Sequence, residues 1–398
     1  MTREEIYNQC VQEIDKTNCL LMELPTGYGK TRLSLDLINN LAKTKFNNSK
    51  ISILLLVAKR VHKKTWEEEI EKWGGINNST IVTECYESLK NHTMQYFDII
   101  LMDECHHINS ELRKELLSTL SYKYMLGLSA TIPKKLKMYF NYKYHSRIVS
   151  CNIVEAIETE ILPEPQILLF PLILDNRIAK EEWEINAKAK NPVVYGEIKD
   201  IWKYKKQKVH AILKCTERQK LLEFNKLIEW EKSQYMRTRR EPLKMSWLYH
   251  AGRRLEFLAN CKNQIVSDIL KKLNKERTIT FCKTIEQCEI LGKNCIHSQN
   301  KDADKIYDAF NKKKINHITA VNILNENANL VDCKYGIFAN LSSSDLVQVQ
   351  RTGRLLRHKQ PVIIFPYFKD TREEEILDGM LKDYNKEYIR TIHSINEI

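Results

Sequence analysis

An α/β fold with two parallel sheets in tandem, separated by a mostly helical insertion, is predicted by three observations. Short, almost wholly apolar runs alternate with segments of helical spacing. That alternation occurs twice, once before residue 148 and again after about residue 263. A charged, aromatic stretch of different texture lies between the two. Strands that are apolar on both faces belong in sheets covered by helices on both sides, and alternation with helices makes neighbouring strands parallel.

In the first half, "CLLMELP" (19–25), "ISILLLVA" (51–58), "IVT" (81–83), "DIILMD" (98–103) and "YMLGLSA" (124–130) read as buried strands. "KTRLSLDLINNLAK" and "VHKKTWEEEIEKW" have the apolar spacing of helices between them. Residues 149–172 read as extended, because the prolines of "LPEPQILLFPLIL" resist helix formation. From about 178 to 262 the pattern is mostly helical, as in "ERQKLLEFNKLIEWEKSQYM". "TITFC" (278–282), "KNCIH" (293–297), "HITAV" (317–321), "YGIFAN" (335–340) and "PVIIFPY" (361–367) are the strands of the second sheet. The expected division is 1–148, 149–262 and 263–398.

Bulk properties narrow the class. With 398 residues, 43% hydrophobic and 29% charged, the chain can bury a core in each of two or three domains. No apolar run reaches membrane-spanning length and the N-terminus lacks the apolar core of a secretory signal. A cytoplasmic chain without a membrane partner is expected. Eleven cysteines, an odd number without a CxxC pair, predict reduced thiols. Cys282, Cys288 and Cys295 are near in sequence, but a strand-helix-strand reading scatters them, and no zinc site is read there. The net charge of +12 favours a polyanionic partner.

Leu24 to Thr31, "LPTGYGKT", ends a strand and opens an amphipathic helix. This is the context of a phosphate-binding loop: Thr26, Gly27 and Gly29 form the turn, and the helix N-terminus aims N–H groups at an anion. Lys30 would reach the β- and γ-phosphates of ATP and Thr31 would hold Mg²⁺. Leu24 stands where the first glycine of GxxxxGKT is usual, and a plain strand-turn-helix with a chance lysine is the alternative. In "DIILMDECHHI" an apolar strand ends in Asp103-Glu104, at the edge where a parallel sheet binds ligands. Asp103 is the candidate Mg²⁺ holder through water, and Glu104 the candidate base for the attacking water.

"PTGYGKT", "DECH", the "SAT" of Ser129 to Thr131, and "VQVQRTGRLLR" (347–357) resemble motifs I, II, III and VI of superfamily 2 helicases and translocases. The resemblance runs in order across nearly the whole chain. It implies two RecA-like domains sharing one ATP site, with motif III coupling through Ser129 and Thr131. It implies Arg354 and Arg357 as arginine fingers and Gln350 as the γ-phosphate or water contact, with Arg351 facing nucleic acid or motif II. "TREEIYNQ" resembles the start of this superfamily, with Gln9 the candidate adenine reader and Tyr7 or Arg3 its neighbours; an ordinary capped helix is the alternative. "NILNENANL" (322–330) is similar to motif V: Glu326 matches, Asn327 replaces glycine and Asn329 stands where aspartate is common.

Nucleic acid is the implied partner, DNA favoured over RNA, held through its phosphates. Lys59 and Arg60 match motif Ia, Thr83 motif Ib, and Lys283 and Thr284 motif IV. The basic aromatic stretches 134–147, 202–210 and 237–244 extend the candidate track, with wet helix faces as the alternative. The end of the chain is most like compact helicases carried by bacteriophages, which would place it in a bacterial host's cytoplasm. Snf2 and restriction type III DNA translocases are similar in "WEEEIEKW" and "IVTECYESL".

Overall fold

A computed structural model describes residues 2–175, 178–186, 198–203, 209–321, 330–341, 352, 355, 358–382 and 384–398. Six strands form the first sheet: β1 (Cys19–Glu23), β2 (Ile51–Val57), β3 (Ser79–Cys85), β4 (Tyr96–Met102), β5 (Ser121–Ser129) and β6 (Arg147–Ser150). Their order is β3-β2-β4-β5-β1-β6 and every pairing is parallel. Along β2, Ile53, Leu55 and Val57 enter one core while Leu54 and Leu56 enter the other, so both faces are covered. That is why the run reads as continuously apolar.

The second sheet has seven parallel strands: β7 (Gln166–Leu172), β11 (Thr278–Phe281), β12 (Cys295–Ile296), β13 (His317–Ala320), β14 (Tyr335–Phe338), β15 (Val362–Phe368) and β16 (Ile389–Thr391), in the order β12-β13-β11-β14-β15-β7-β16. Here Ile363, Phe365 and Tyr367 alternate with Val362 and Ile364 between its two cores.

Residues 149–172, expected as linker, are divided between the sheets. The first of them complete β6, and the last form β7, which lies between β15 and β16. The prolines are accommodated by uneven strand lengths. β16 covers β7 only from Ile167 to Leu169, so Pro171 lies past the pairing on that side. β14 likewise stops at Ile364, before Pro366. A proline there removes no ladder hydrogen bond on the open side.

The insertion, expected as mostly helical, also holds a three-stranded antiparallel sheet. Its strands β8 (Ile178–Asn186), β9 (Ile198–Lys203) and β10 (Val209–Thr216) are ordered β8-β10-β9. Short mixed runs such as "IKDIWK" fit either period, and pairing across the insertion decides. Two long helices follow, Glu217–Thr238 and Glu241–Cys261, packed as a hairpin. Among the described residues no helix is long and apolar enough to cross a membrane.

A buried ion pair ties the hairpin base to the second sheet. Lys262 Nζ donates to Glu373 Oε1 (2.5 Å) and to the Pro366 carbonyl (3.1 Å), while Phe368 N–H donates to Glu373 Oε2 (3.1 Å). Both side chains are sealed from water. Truncating one partner strands the other charge, so Glu373→Ala should cost about 3–5 kcal/mol in urea unfolding. A Lys262→Met/Glu373→Leu double variant should recover most of that loss.

Cys282, Cys288 and Cys295 carry free thiols. The three expected to scatter are gathered instead: Cys288 and Cys295 Sγ lie 3.1 and 3.4 Å from the Thr319 hydroxyl. Helix Ile285–Leu291 folds back over the face that bears Cys282, Cys295 and Thr319, bringing Cys288 into the same core. No group of three or more His, Cys, Asp or Glu poised to hold a metal occurs among the described residues.

Candidate nucleotide site and nucleic-acid face

The loop after β1 turns on two glycines, Gly27 at φ +91° and Gly29 at φ +97°. A Cβ at Gly29 would meet no atom within 4 Å, so backbone angle, not space, requires glycine there. Gly29 precedes helix Lys30–Lys45, whose N-terminus opens at the C-terminal edge of the first sheet. Lys30 Nζ donates to the Leu24 carbonyl (3.0 Å), and Leu24 N–H donates to the Ser129 carbonyl (3.0 Å). Phosphate loop and β5 terminus are thereby stitched together. Tyr28, fully buried, donates its hydroxyl to the Thr2 carbonyl (3.4 Å), the cap of helix Arg3–Ile14. On that helix, Gln9 Oε1 is buried without a hydrogen-bond partner.

Asp103 and Glu104 follow β4 at the same edge, and both are buried. Trp66 Nε1 donates to Asp103 Oδ2 (2.8 Å) and the Tyr86 hydroxyl to the Asp103 carbonyl (2.7 Å), which fixes the carboxylate. Glu104 adopts the left-handed conformation, φ +50°, uncommon for a residue with a side chain. Its Oε2 lies 3.3 Å from both Ser129 Oγ and His106 Nδ1. Ser129 Oγ also lies 2.9 Å from His106 Nδ1, donates to the Thr131 carbonyl (2.8 Å) and accepts from Thr131 N–H (3.3 Å). Buried polar groups linked in this way hold one geometry, because any break leaves an unpaired atom away from water.

Of the residues expected at the ATP site from the first half, Thr26, Gly27, Gly29, Lys30, Thr31, Asp103, Glu104, Ser129 and Thr131 lie at or just past the C-terminal ends of β1, β4 and β5, while Gln9 lies on helix Arg3–Ile14. Sequence reasoning missed Trp66 and Tyr86, the holders of Asp103. His106 stands within "DECH" and joins the network through Ser129 and Glu104. Position in a motif was the only available signal for any of the three.

A cleft of about 680 Å³ lies between the sheets, reached by Pro25 and Thr131 from the first side and Thr352, Phe365 and Arg372 from the second. It adjoins the phosphate loop without enclosing it. Leu355 is buried in the second core and packs against Gly336, where a Cβ would come 2.0 Å from it. Gln350, Arg351, Arg354 and Arg357, like Glu326, Asn327 and Asn329, lie outside the described residues.

Lys59 and Arg60 are exposed just past β2, and Thr83 is half-buried on β3, where it pairs with Leu55. Lys283 and Thr284 follow β11 on the second sheet. Thr284 Oγ1 accepts from Gln287 N–H (3.1 Å), capping the next helix, and Lys283 N–H donates to Gln287 Oε1 (2.8 Å). All five candidates occupy the C-terminal edge or half of their strands.

The donor set fits a nucleoside triphosphate with Mg²⁺. A glycine turn opens a helix toward an anion, a lysine and a hydroxyl stand at that helix start, and two buried carboxylates face the same edge. Two such parallel sheets in one chain, one with a phosphate loop, define a tandem RecA-like ATPase.

Comparison with known proteins agrees. Residues 2–134 match the family described as type III restriction enzyme, res subunit, and residues 261–359 match the helicase conserved C-terminal domain. A curated relative, "DNA 3'-5' translocase XPB2" of Sulfurisphaera tokodaii, is 22% identical over 85% of this chain and 75% of its own length. "Probable helicase D10" of Escherichia phage T5 is 24% identical over 40% of this chain and 38% of its own. Among solved structures, the Pyrococcus furiosus Hef helicase domain has TM-score 0.51 at 15% identity, covering 95% of this chain and 97% of that one. S. cerevisiae Dbp5 bound to RNA and ADP BeF3 has TM-score 0.57 at 11% identity, covering 98% and 89%. These two show the fold. The chain belongs to the superfamily 2 helicases and translocases, and it is an ATP-dependent helicase or translocase of nucleic acid.

Proposed function

We propose that this chain hydrolyses ATP at the cleft between its two sheets and couples that hydrolysis to movement on DNA. The observation that carries the coupling is the Ser129 hydroxyl, which touches Glu104 and the Thr131 backbone at once, while Thr131 lines the cleft to the second sheet. A change at the carboxylate therefore reaches the surface where the sheets meet. DNA is preferred because the relative spanning most of the chain is named a DNA translocase.

In this reading Lys30 binds the terminal phosphates, Gln9 Oε1 takes a donor from the adenine edge, and Glu104 orients the attacking water and accepts its proton. Thr31 and Asp103 hold Mg²⁺, which when bound neutralises charge on the phosphates. Ser129 and Thr131 transmit closure. Gln350, Arg354 and Arg357 contact the γ-phosphate and the attacking water, and Glu326 helps to bind the nucleotide. Lys59, Arg60, Thr83, Lys283 and Thr284 hold the nucleic-acid backbone, contacts that position a strand without reading its bases. We place the domain bounds at 1–148 and 263–398, the second completed by β7, with residues 178–262 inserted.

Steady-state ATPase measured with duplex DNA, single-stranded DNA and RNA tests the choice of polymer. Either form of DNA should stimulate more strongly than RNA. A greater stimulation by RNA would make the protein an RNA motor.

A further inference from the structure

β1 ends in an acid, Glu23, where its apolar pattern calls for another hydrophobic residue. Along that strand Leu20, Met22 and the following Leu24 enter one core, while Cys19 and Leu21 enter the other. Alternation puts Glu23 on the side of Cys19 and Leu21, where Ile132, Leu136 and Phe140 are also packed. Its side chain is only 17% exposed. A carboxylate so far withdrawn from water costs free energy unless its oxygens find donors. Both do. Oε1 accepts from Ile132 N–H (2.7 Å) and Oε2 from Lys137 Nζ (2.5 Å), in the first turn of helix Lys134–Tyr144.

The Ile132 N–H belongs to the same peptide group as the Thr131 carbonyl. That carbonyl accepts from Ser129 Oγ (2.8 Å), which itself lies 3.3 Å from Glu104 Oε2. The N–H and C=O of a trans peptide point in opposite directions and share one rigid plane. The group is therefore gripped from two sides, by the Ser129 hydroxyl on one and by Glu23 on the other.

Glu23 stands at a junction of the site. It comes immediately before Leu24 and Pro25, which begin the phosphate loop, and it pairs in register with Ser129 across β1 and β5. Glu23, Pro25 and Thr131 all line the cleft to the second sheet. One carboxylate thus ties the strand that enters the phosphate loop to the peptide that follows Ser129. The bond it makes is charge-assisted, about twice as strong as a neutral one, and Lys137 fixes the carboxylate's orientation. A peptide free to tilt would absorb a push on Thr131 before it reached Ser129.

From this geometry we infer that Glu23 is a positioning residue for polymer-stimulated hydrolysis. It holds the Thr131–Ile132 peptide so that contact of the second sheet with Thr131 is passed to Ser129 and on to Glu104. This rests on the motor reading above.

The test uses the full chain and whichever of duplex DNA or oligothymidylate stimulates its ATPase more. Glu23→Ala should lower the stimulated kcat about tenfold, the effect of losing a charge-assisted hydrogen bond, with KM for ATP within about twofold of wild type. The rate without polymer should fall less, so the ratio of the two rates drops. Glu23→Met keeps the volume and should do the same, which preserves the test if the alanine variant folds poorly. Glu23→Gln should bring the ratio back to within about threefold of wild type, since its amide oxygen still accepts from Ile132 N–H. Lys137→Met should also stay within about threefold, because a half-exposed ion pair is worth little and the carboxylate keeps the peptide. An unchanged ratio in the alanine and methionine variants overturns the inference and leaves the motor reading intact. A loss in Glu23→Gln as large as in Glu23→Ala overturns the peptide contact. Equal falls with and without polymer make Glu23 a structural tie alone and overturn it as well. If neither polymer stimulates the wild type, the motor reading falls first and this inference with it.

Discussion

Glu104→Gln should reduce steady-state ATP hydrolysis by about 10²- to 10⁴-fold, the usual contribution of a positioned general base. Nucleotide affinity should stay within about threefold, because the amide keeps the shape and the contact with Ser129 while losing the ability to take a proton. The side chain is buried, and its left-handed backbone aims it at the hydroxyl that joins it to Thr131. Phosphate release and binding of a fluorescent ATP analogue, measured on the same preparation, separate the two quantities. Full turnover in this variant would move the base elsewhere. Weakened binding together with slow turnover would instead give Glu104 a role in holding the nucleotide.

Arg354→Ala should cost about 10³- to 10⁵-fold in turnover with nucleotide binding nearly intact, the effect of removing an arginine that stabilises charge on a transferring phosphoryl group. Arg354 lies between Thr352, which lines the inter-sheet cleft, and Leu355, which is buried in the second core. Arg354→Lys should rescue little, since an ammonium lacks the planar fork. Single-turnover hydrolysis with ATP in excess of its dissociation constant checks the prediction, and a near-normal rate would show that the second sheet does not complete the site.

Long apolar strands and their following motifs were legible because both faces of each sheet are covered, which leaves the sequence little freedom. β2 and β15 are examples. What was not legible depends on partners distant in sequence. β7 became a strand by pairing with β15, nearly two hundred residues later; its Pro171 lies past the end of β16, and Pro366 of β15 lies past the end of β14. The insertion strands β8 to β10 pair with one another through mixed, charged runs. At the candidate site, Asp103 and Glu104 could be read from the strand they end. Trp66 could not, because a tryptophan inside a helix gives no sign that its ring N–H reaches a carboxylate 37 residues away. The same blindness hid the Lys262–Glu373 pair and the convergence of Cys288 and Cys295 on Thr319.

The central claim is that hydrolysis drives movement along a polymer. The dependence of ATPase rate on DNA length, at saturating ends and saturating ATP, tests this most directly. A motor that binds, steps many times and leaves should show a rate that rises with length to a plateau, and Glu104→Gln should abolish the rise. A stimulated rate that is the same for every length beyond one binding site would contradict movement and leave ATP acting only as a switch.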